Sequence, residues 1–453
     1  MIKKDLTEGA ITKGMLLFAI PMIIGNLLQQ LYNVADTFIV GRYLGANALA
    51  AVGSAYTLMV FITSIILGLC MGSGAIFSIH FGARKTKELK NSIYVSFLMI
   101  AGITILLNIL VFVFLNPIMD ILQVPNEIYD IMKEYLQVIF IGISFTFLYN
   151  YTSSLLRAMG DSLIPLLFLA VSALLNVVLD VVFVAVLRMG VVGAGAATVI
   201  AQAVSAIGIL LYCLIKSDIL KIEKEYRYVH WATLKEIFQF SMLTCVQQSV
   251  MNFGILMIQG LVNSFGTIVM AAFAVAVKID SFAYMPVQDF GNAYSIYVAQ
   301  NFGANKFERI RKGTGIAFLL STLFCLFISF LVCVFANPLM ELFIDPAETE
   351  ILSVGVQYLR IEGTFYVGIG CLFLWYGYYR AVKKPGMSVV LTIISLGVRV
   401  ALAYLLAPLP EIGVLGIWWA IPIGWFLADL VGVIYYKRSQ IEVYRQTTYQ
   451  QVN

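Results

Sequence analysis

The chain has 453 residues, of which 61% are hydrophobic and only 12% charged. A soluble domain carries about 25% charged residues, so the composition excludes an ordinary globular protein and points to a polytopic membrane protein. The formal net charge of +4 does not mark a nucleic-acid binder, because the basic residues are spread loop by loop and not over one face.

The opening stretch, residues 1–14, holds basic residues but no cleavage site. It reads as a short cytoplasmic arm before a first spanning helix and not as a signal peptide. A span needs about 20 mostly apolar residues. Twelve segments meet that length, at about 15–40, 47–78, 91–116, 129–153, 162–187, 191–215, 235–263, 267–300, 311–336, 351–379, 386–406 and 412–436. Most connections are short. The exception, KSDILKIEKEYRYVHWATLK, is charged and separates two sets of six. The expected organisation is an N-lobe at 15–215, a cytoplasmic linker at 216–234, a C-lobe at 235–436 and a cytoplasmic tail at 437–453.

Basic residues set the orientation, because inner loops accumulate Lys and Arg. With both termini inside, Arg42, Lys133 and Arg188 fall in outer loops and Lys278, Arg360 and Arg399 inside spans, leaving 23 of the 29 basic residues on the inner side. The expected location is therefore the cell membrane, multi-pass, with both termini cytoplasmic.

The two sets of six repeat each other. RYLGANALAA (42–51) falls on NSFGTIVMAA (263–272), FGARK (81–85) on FGANK (302–306), and NPIMDIL (116–122) on NPLMELF (337–343), all at an offset of 221. An offset of 223 then carries EYLQV (134–138) onto QYLRI (357–361) and RAMG (157–160) onto RAVK (380–383). Each unit holds an even number of spans, so the repeats are parallel, related by an axis along the membrane normal. Such duplication is the architecture of secondary transporters, with substrate bound between two bundles. The fold class read from this is all-α, with 12 transmembrane helices as two six-helix parallel repeats.

The sharpest polar feature is NVVLD (176–180): from Pro165 to Leu187 the only strongly polar side chains are Asn176 and Asp180. A carboxylate there costs on the order of 2.5–3.5 kcal/mol at a bilayer centre. At the repeat offsets Asn176 falls on Arg399, Asp180 on Ala403 and Asp36 on Met257, so both carboxylates belong to one lobe. Counting along the helices puts Asp36, Tyr135, Asp180 and Thr198 in the outer half of that lobe, and Asn176 shares a face with Asp180 at i,i+4. Two carboxylates close together in low dielectric are not both ionised unless they share a cation, and otherwise one holds a proton. Asp36, Asp180, Asn176, Thr198 and Tyr135 therefore form a candidate coupling-ion site. Its hard oxygens suit H⁺ or Na⁺ and no transition metal.

With these residues in view, the chain resembles the multidrug and toxic compound extrusion (MATE) family of secondary transporters. The resemblance rests on IPMIIGNLLQQLYNVADTFIVGRYLG, MPVQDFGNAYSIYVAQNFGANK, RAMGD and the NxxxD pair, and covers roughly residues 10–435. It implies a V-shaped molecule that exports amphipathic, often cationic compounds against inward H⁺ or Na⁺ flow. In one branch of the family it also implies an N-lobe site at the positions occupied here by Asp36, Tyr135, Asn176, Asp180 and Thr198. Another branch uses acids on the seventh and tenth helices. The seventh here has Gln247, Gln248, Asn252 and Gln259 but no acid, which puts a C-lobe site of that kind in doubt.

The C-lobe spans carry Lys278, Asp280, Arg360, Glu362 and Arg399 at mid-depth. They read either as a mutually paired structural network or as a second part of the ion or substrate pathway. Gln29 and Asn33 on the first helix, with Gln247, Gln248 and Asn252 on the seventh, are candidate polar residues of a substrate cleft. Asp289 and Asp429 lie nearer the inner ends, and the six cysteines show no CxxC spacing. VVGAGAAT reads as small-residue helix packing and not as a nucleotide loop. No nucleophile–base or metal cluster suggests an enzyme, and no cofactor beyond the coupling ion is expected. The expected partners are a small-molecule substrate and the bilayer, with no nucleic acid, and the chain is expected to work as a monomer. The alternative function is a flippase or exporter of lipid-linked or anionic metabolites.

Overall fold

A computed structural model describes residues 5–122, 124–216 and 221–452. The first four residues of the arm and residues 217–220 of the linker lie outside the described residues. Among the described residues there is no strand. The first half is built from α1 (Ile11–Leu44), α2 (Ala46–Gly82), α3 (Thr86–Val113), α4 (Leu115–Ile121), α5 (Asn126–Ile141), α6 (Ile143–Ala158), α7 (Leu163–Asp180) and α8 (Gly190–Lys216). Between α7 and α8 runs a π-helical turn, Val181–Val186. The second half is built from α9 (Trp231–Asn263), α10 (Thr267–Gly303), α11 (Phe307–Val334), α12 (Ala336–Glu341), α13 (Thr349–Thr364), α14 (Tyr366–Ala381), α15 (Pro385–Leu406) and α16 (Leu415–Val452).

Ten of these helices are long and apolar enough to cross a membrane, and an eleventh span is α5 with α6, bent by 44° at their junction. The twelfth expected span, 351–379, corresponds to α13 and α14, which break at Phe365 as α5 and α6 break at Gly142. At Gly142 the chain runs tight against α8: an added Cβ would meet the Gln202 amide oxygen and Val199 at 3.0 Å. Apolar side chains such as Phe38, Leu174 and Phe330 are more than half exposed, as a lipid-facing surface requires.

The duplication is written into the backbone. Shifting α2 and α3 by 221 residues reproduces the ends of α10 and α11, and shifting α5 and α6 by 223 reproduces those of α13 and α14. The left-handed positions repeat too. Gly45 (φ 85°) pairs with Gly266 (92°), Arg84 (56°) with Asn305 (56°), Gly160 (85°) with Lys383 (61°), and Gly190 (65°) with Gly413 (54°). Sequence identity between the halves is sparse, yet the turns that set helix direction are shared. The π-helical turn is not: residues 404–409, its image, continue α15 and then turn.

The chain falls into two compact units, Met1–Ser249 with Ile296–Ile310, and Val250–Ser295 with Arg311–Asn453. In the first, α9 packs on α2 through two glycines four apart, the small-xxx-small spacing that lets helix backbones touch. A Cβ on Gly68 would lie 2.5 Å from the Cα of Cys245, and one on Gly72 2.6 Å from the carbonyl oxygen of Phe240. The core of the second unit includes Trp418, stacked on Phe273 at 5.5 Å and edge-on to Tyr358 at 4.8 Å.

Candidate functional site: a donor-poor carboxylate pair

In the first unit α7 packs between α1 and α8, and this brings the expected site residues together. Asp180 is fully buried, Asn176 and Tyr135 nearly so, and Asp36 and Thr198 half-buried. The carboxyl groups of Asp36 and Asp180 face each other, with the Tyr135 ring beside both. Asn176, one turn before Asp180, donates its Nδ2 to Thr198 Oγ1 at 3.3 Å, and Thr198 Oγ1 in turn donates to the Ala194 carbonyl at 3.2 Å. Thr198 thereby fixes the Asn176 amide with its oxygen free.

What this site lacks defines its chemistry. Asp36 Oδ1, Asn176 Oδ1 and both carboxyl oxygens of Asp180 are buried without a hydrogen-bond donor. Among the described residues no basic side chain forms an ion pair with either aspartate. A buried acceptor left unpaired costs about 1–3 kcal/mol, and more when charged. The cluster is therefore a set of acceptors that a proton or a hard cation would satisfy.

The second unit holds a different cluster. Tyr366 donates to Asp280 Oδ1 at 2.5 Å and Tyr358 to Asp280 Oδ2 at 3.5 Å. Glu362 and Arg399 adjoin the same carboxyl group. Asp280 and Glu362 are nearly fully buried. Of the five charges expected at mid-depth, then, Asp280, Glu362 and Arg399 come together, while Lys278 and Arg360 have exposed side chains outside the cluster. The reason is helical geometry: Lys278 and Asp280, and likewise Arg360 and Glu362, are two residues apart on one helix and do not share a face. Tyr358 and Tyr366 did not stand out in the sequence as ligands of Asp280. The available signal was that Tyr358 falls on Tyr135 at the 223 offset.

The expected cleft residues differ in their burial. Gln29 is exposed on α1, and Asn33 donates to Gln30 Oε1 at 3.3 Å. Gln247 is buried with its Oε1 unpartnered. Gln248 and Asn252 are half-buried, Gln247 and Gln248 in the first unit and Asn252 in the second.

The duplicated helices and this acidic site can be set beside known proteins. The MatE family model matches residues 21–182 and again 242–405, two stretches displaced by the repeat offsets. The chain belongs to the MatE family. It is 30% identical to the probable multidrug resistance protein YpnP of Bacillus subtilis (strain 168), over 86% of this chain and 87% of that protein. It is 24% identical to the probable multidrug resistance protein NorM of Thermotoga maritima, over 92% and 89% of the two chains. Its fold superposes on a crystal structure of MATE in the bent conformation with a TM-score of 0.92, covering 99% of each chain at 24% identity. It also superposes on an outward-facing multidrug resistance MATE family transporter with a TM-score of 0.91, covering 98% of each at 23% identity. The MatE chain is thus a multi-pass membrane transporter and not an enzyme.

Proposed function

We propose that this MatE protein is a secondary active exporter of amphipathic, cationic drugs or metabolites, driven by inward H⁺ or Na⁺. The coupling ion binds among Asp36, Asp180, Asn176, Thr198 and Tyr135. The observation that carries this reading is the group of buried, donor-less oxygens on Asp36, Asn176 and Asp180, a set that stays costly until a cation arrives. Binding the ion changes the net charge of the cluster by one unit, and that change favours one of two access states over the other. The names of the relatives, multidrug resistance proteins of similar length, support the substrate class. The distribution of Lys and Arg supports a cell-membrane protein with both termini in the cytoplasm.

The test is efflux of ethidium from proteoliposomes under separately imposed pH and Na⁺ gradients. One gradient is expected to drive efflux, and Asp36→Asn and Asp180→Asn are each expected to reduce it to the protein-free background. Gradient-driven efflux at the wild-type rate in Asp180→Asn would sink the site assignment. If neither gradient moves ethidium, the substrate class fails instead, and anionic or lipid-linked cargo is the next to assay.

A further inference from the structure

One end of the first unit is held by two segments that precede equivalent helices. Residues 5–9 come just before α1, and residues 221–230 just before α9. Each lies across helices of the other repeat. The arm takes its hold on α10 and α11. Leu6 is 2% exposed, and its backbone is clasped on both sides: its N–H donates to Gln300 Oε1 at 3.1 Å, and its carbonyl accepts Asn301 Nδ2 at 3.1 Å. Gln300 is itself tied to the first repeat, donating Nε2 to the Ala158 carbonyl at 2.7 Å. Lys306 Nζ donates to the Thr7 carbonyl at 2.9 Å, and Arg309 Nη1 to that of Gly9 at 3.0 Å. Arg309 Nε also donates to Asn301 Oδ1 at 3.2 Å, which fixes the amide that holds Leu6.

The linker answers on α3. Asn91 Nδ2 donates to the carbonyls of Tyr226 and Tyr228 at 3.1 and 2.8 Å. Lys90 Nζ reaches the Lys221 carbonyl at 3.2 Å and both Glu223 oxygens at 2.6 Å. The hydrogen bond from Lys90 holds the Glu223 carboxyl below its usual range. A depressed carboxylate keeps its contact above its ordinary pKa and loses it only in acid, so this hold does not loosen near neutral pH.

Between the straps α2 meets α10 backbone to backbone. A Cβ on Gly82 would stand 1.9 Å from the Gln300 carbonyl oxygen, and one on Gly303 1.9 Å from that of Ile79. Gly82 and Gly303 are equivalent at the 221 offset, so the repeat axis passes through this contact. Deeper along the same seam Ser73 and Ser241, both fully buried, hydrogen-bond at 2.9 Å.

We propose that residues 5–9 and 221–230 are a reciprocal pair of straps that keep this seam shut and must release before it opens. The two crossed segments tie first-repeat helices to the 231–249 and 296–310 stretches of the second repeat. A transporter that exposes its site alternately to two sides needs such a closure to be reversible. The holds suit that need, being a limited set of hydrogen bonds from side chains to short strap segments, with Leu6 the one apolar side chain buried fully among them.

The experiment places a single cysteine at Ser241→Cys in an otherwise cysteine-free chain in lipid vesicles and follows its rate of N-ethylmaleimide labelling. Two strap variants are compared: deletion of residues 2–8, and Asn301→Ala with Arg309→Ala. Labelling is expected to rise about tenfold or more in each, as a locally opened segment exposes what it covered. A chain retaining only Cys213, buried in the first-repeat core, is expected to stay unlabelled in both. An unchanged Ser241→Cys rate in both variants overturns the proposal, and so does a rise matched at Cys213, which would mean general unfolding.

Discussion

Tyr135 and Tyr358 stand at equivalent positions of the two repeats, as do Asn176 and Arg399, yet the groups gathered around them differ. In the first repeat the acids sit on α1 and α7, and among the described residues no hydrogen-bond donor reaches the Asp180 oxygens. In the second, the images of those acids are Met257 and Ala403, and the acids come from α10 and α13, where the first repeat has Met59 and Ile139. There Asp280 accepts from two tyrosines beside Arg399. One duplicated frame thus carries a polar cluster at the same place twice. In one copy two tyrosines donate to Asp280 and Arg399 lies near, though Glu362 Oε1 and Arg399 Nε stay without a partner; in the other neither Asp180 oxygen has a donor.

That difference can be broken at Arg399, where the largest effect is expected. Arg399→Leu leaves Asp280 and Glu362 buried together without a cation. Removing one partner of a buried charge cluster costs about 3–5 kcal/mol, so the variant is expected to melt well below the wild type in a thermal unfolding series followed by size-exclusion fluorescence. Adding Glu362→Gln removes the excess charge and is expected to recover most of the loss. A melting point unchanged by Arg399→Leu would mean that the guanidinium does not stabilise the second cluster.

The converse change brings a cation into the first cluster. Asn176→Lys places an ammonium at the position equivalent to Arg399, one turn from Asp180. Overpacking this buried position costs about 1–3 kcal/mol, partly offset by the charge it meets. Folded protein is expected to survive, while gradient-driven ethidium efflux falls to background because the ion's place is taken by a fixed charge. Efflux that persists with its ion dependence intact would show that the donor-less oxygens are not where the ion binds.

Much of this comparison was visible in the sequence, because it depends on helix type, order and depth. The offsets of 221 and 223 marked the repeat, and counting from span ends put Asp36 and Asp180 at one level. Azimuth was harder to read. Lys278 and Arg360 share the depth of Asp280 and Glu362 but point elsewhere, since neighbours two apart on a helix diverge. The breaks at Gly142 and Phe365 were hidden because a hydropathy window averages across a bend that costs no apolar residues. The π-helical turn after Asp180 left no trace either: Val181–Val186 is a run of apolar residues compatible with any helix.

The smallest effect is expected where the repeats agree. Arg84 and Asn305 occupy the same turn at φ 56°, and neither is glycine. An L-residue in that region pays roughly 1–2 kcal/mol, less for asparagine, whose short side chain tolerates it. Asn305→Gly removes the strain but also loosens the unfolded chain, which costs about 0.5–1 kcal/mol. The two terms nearly cancel, so the melting point is expected to shift by under about 1 kcal/mol equivalent. Gly160→Ala, at φ 85°, has no such cancellation and is expected to destabilise by about 1–2 kcal/mol, even though its image Lys383 already holds a side chain at φ 61°. If Gly160→Ala were as mild as Asn305→Gly, the turn would be adapting its φ to the residue. If it is costly, the frame imposes the left-handed conformation on both repeats and Lys383 pays for it, which is what the paired angles imply.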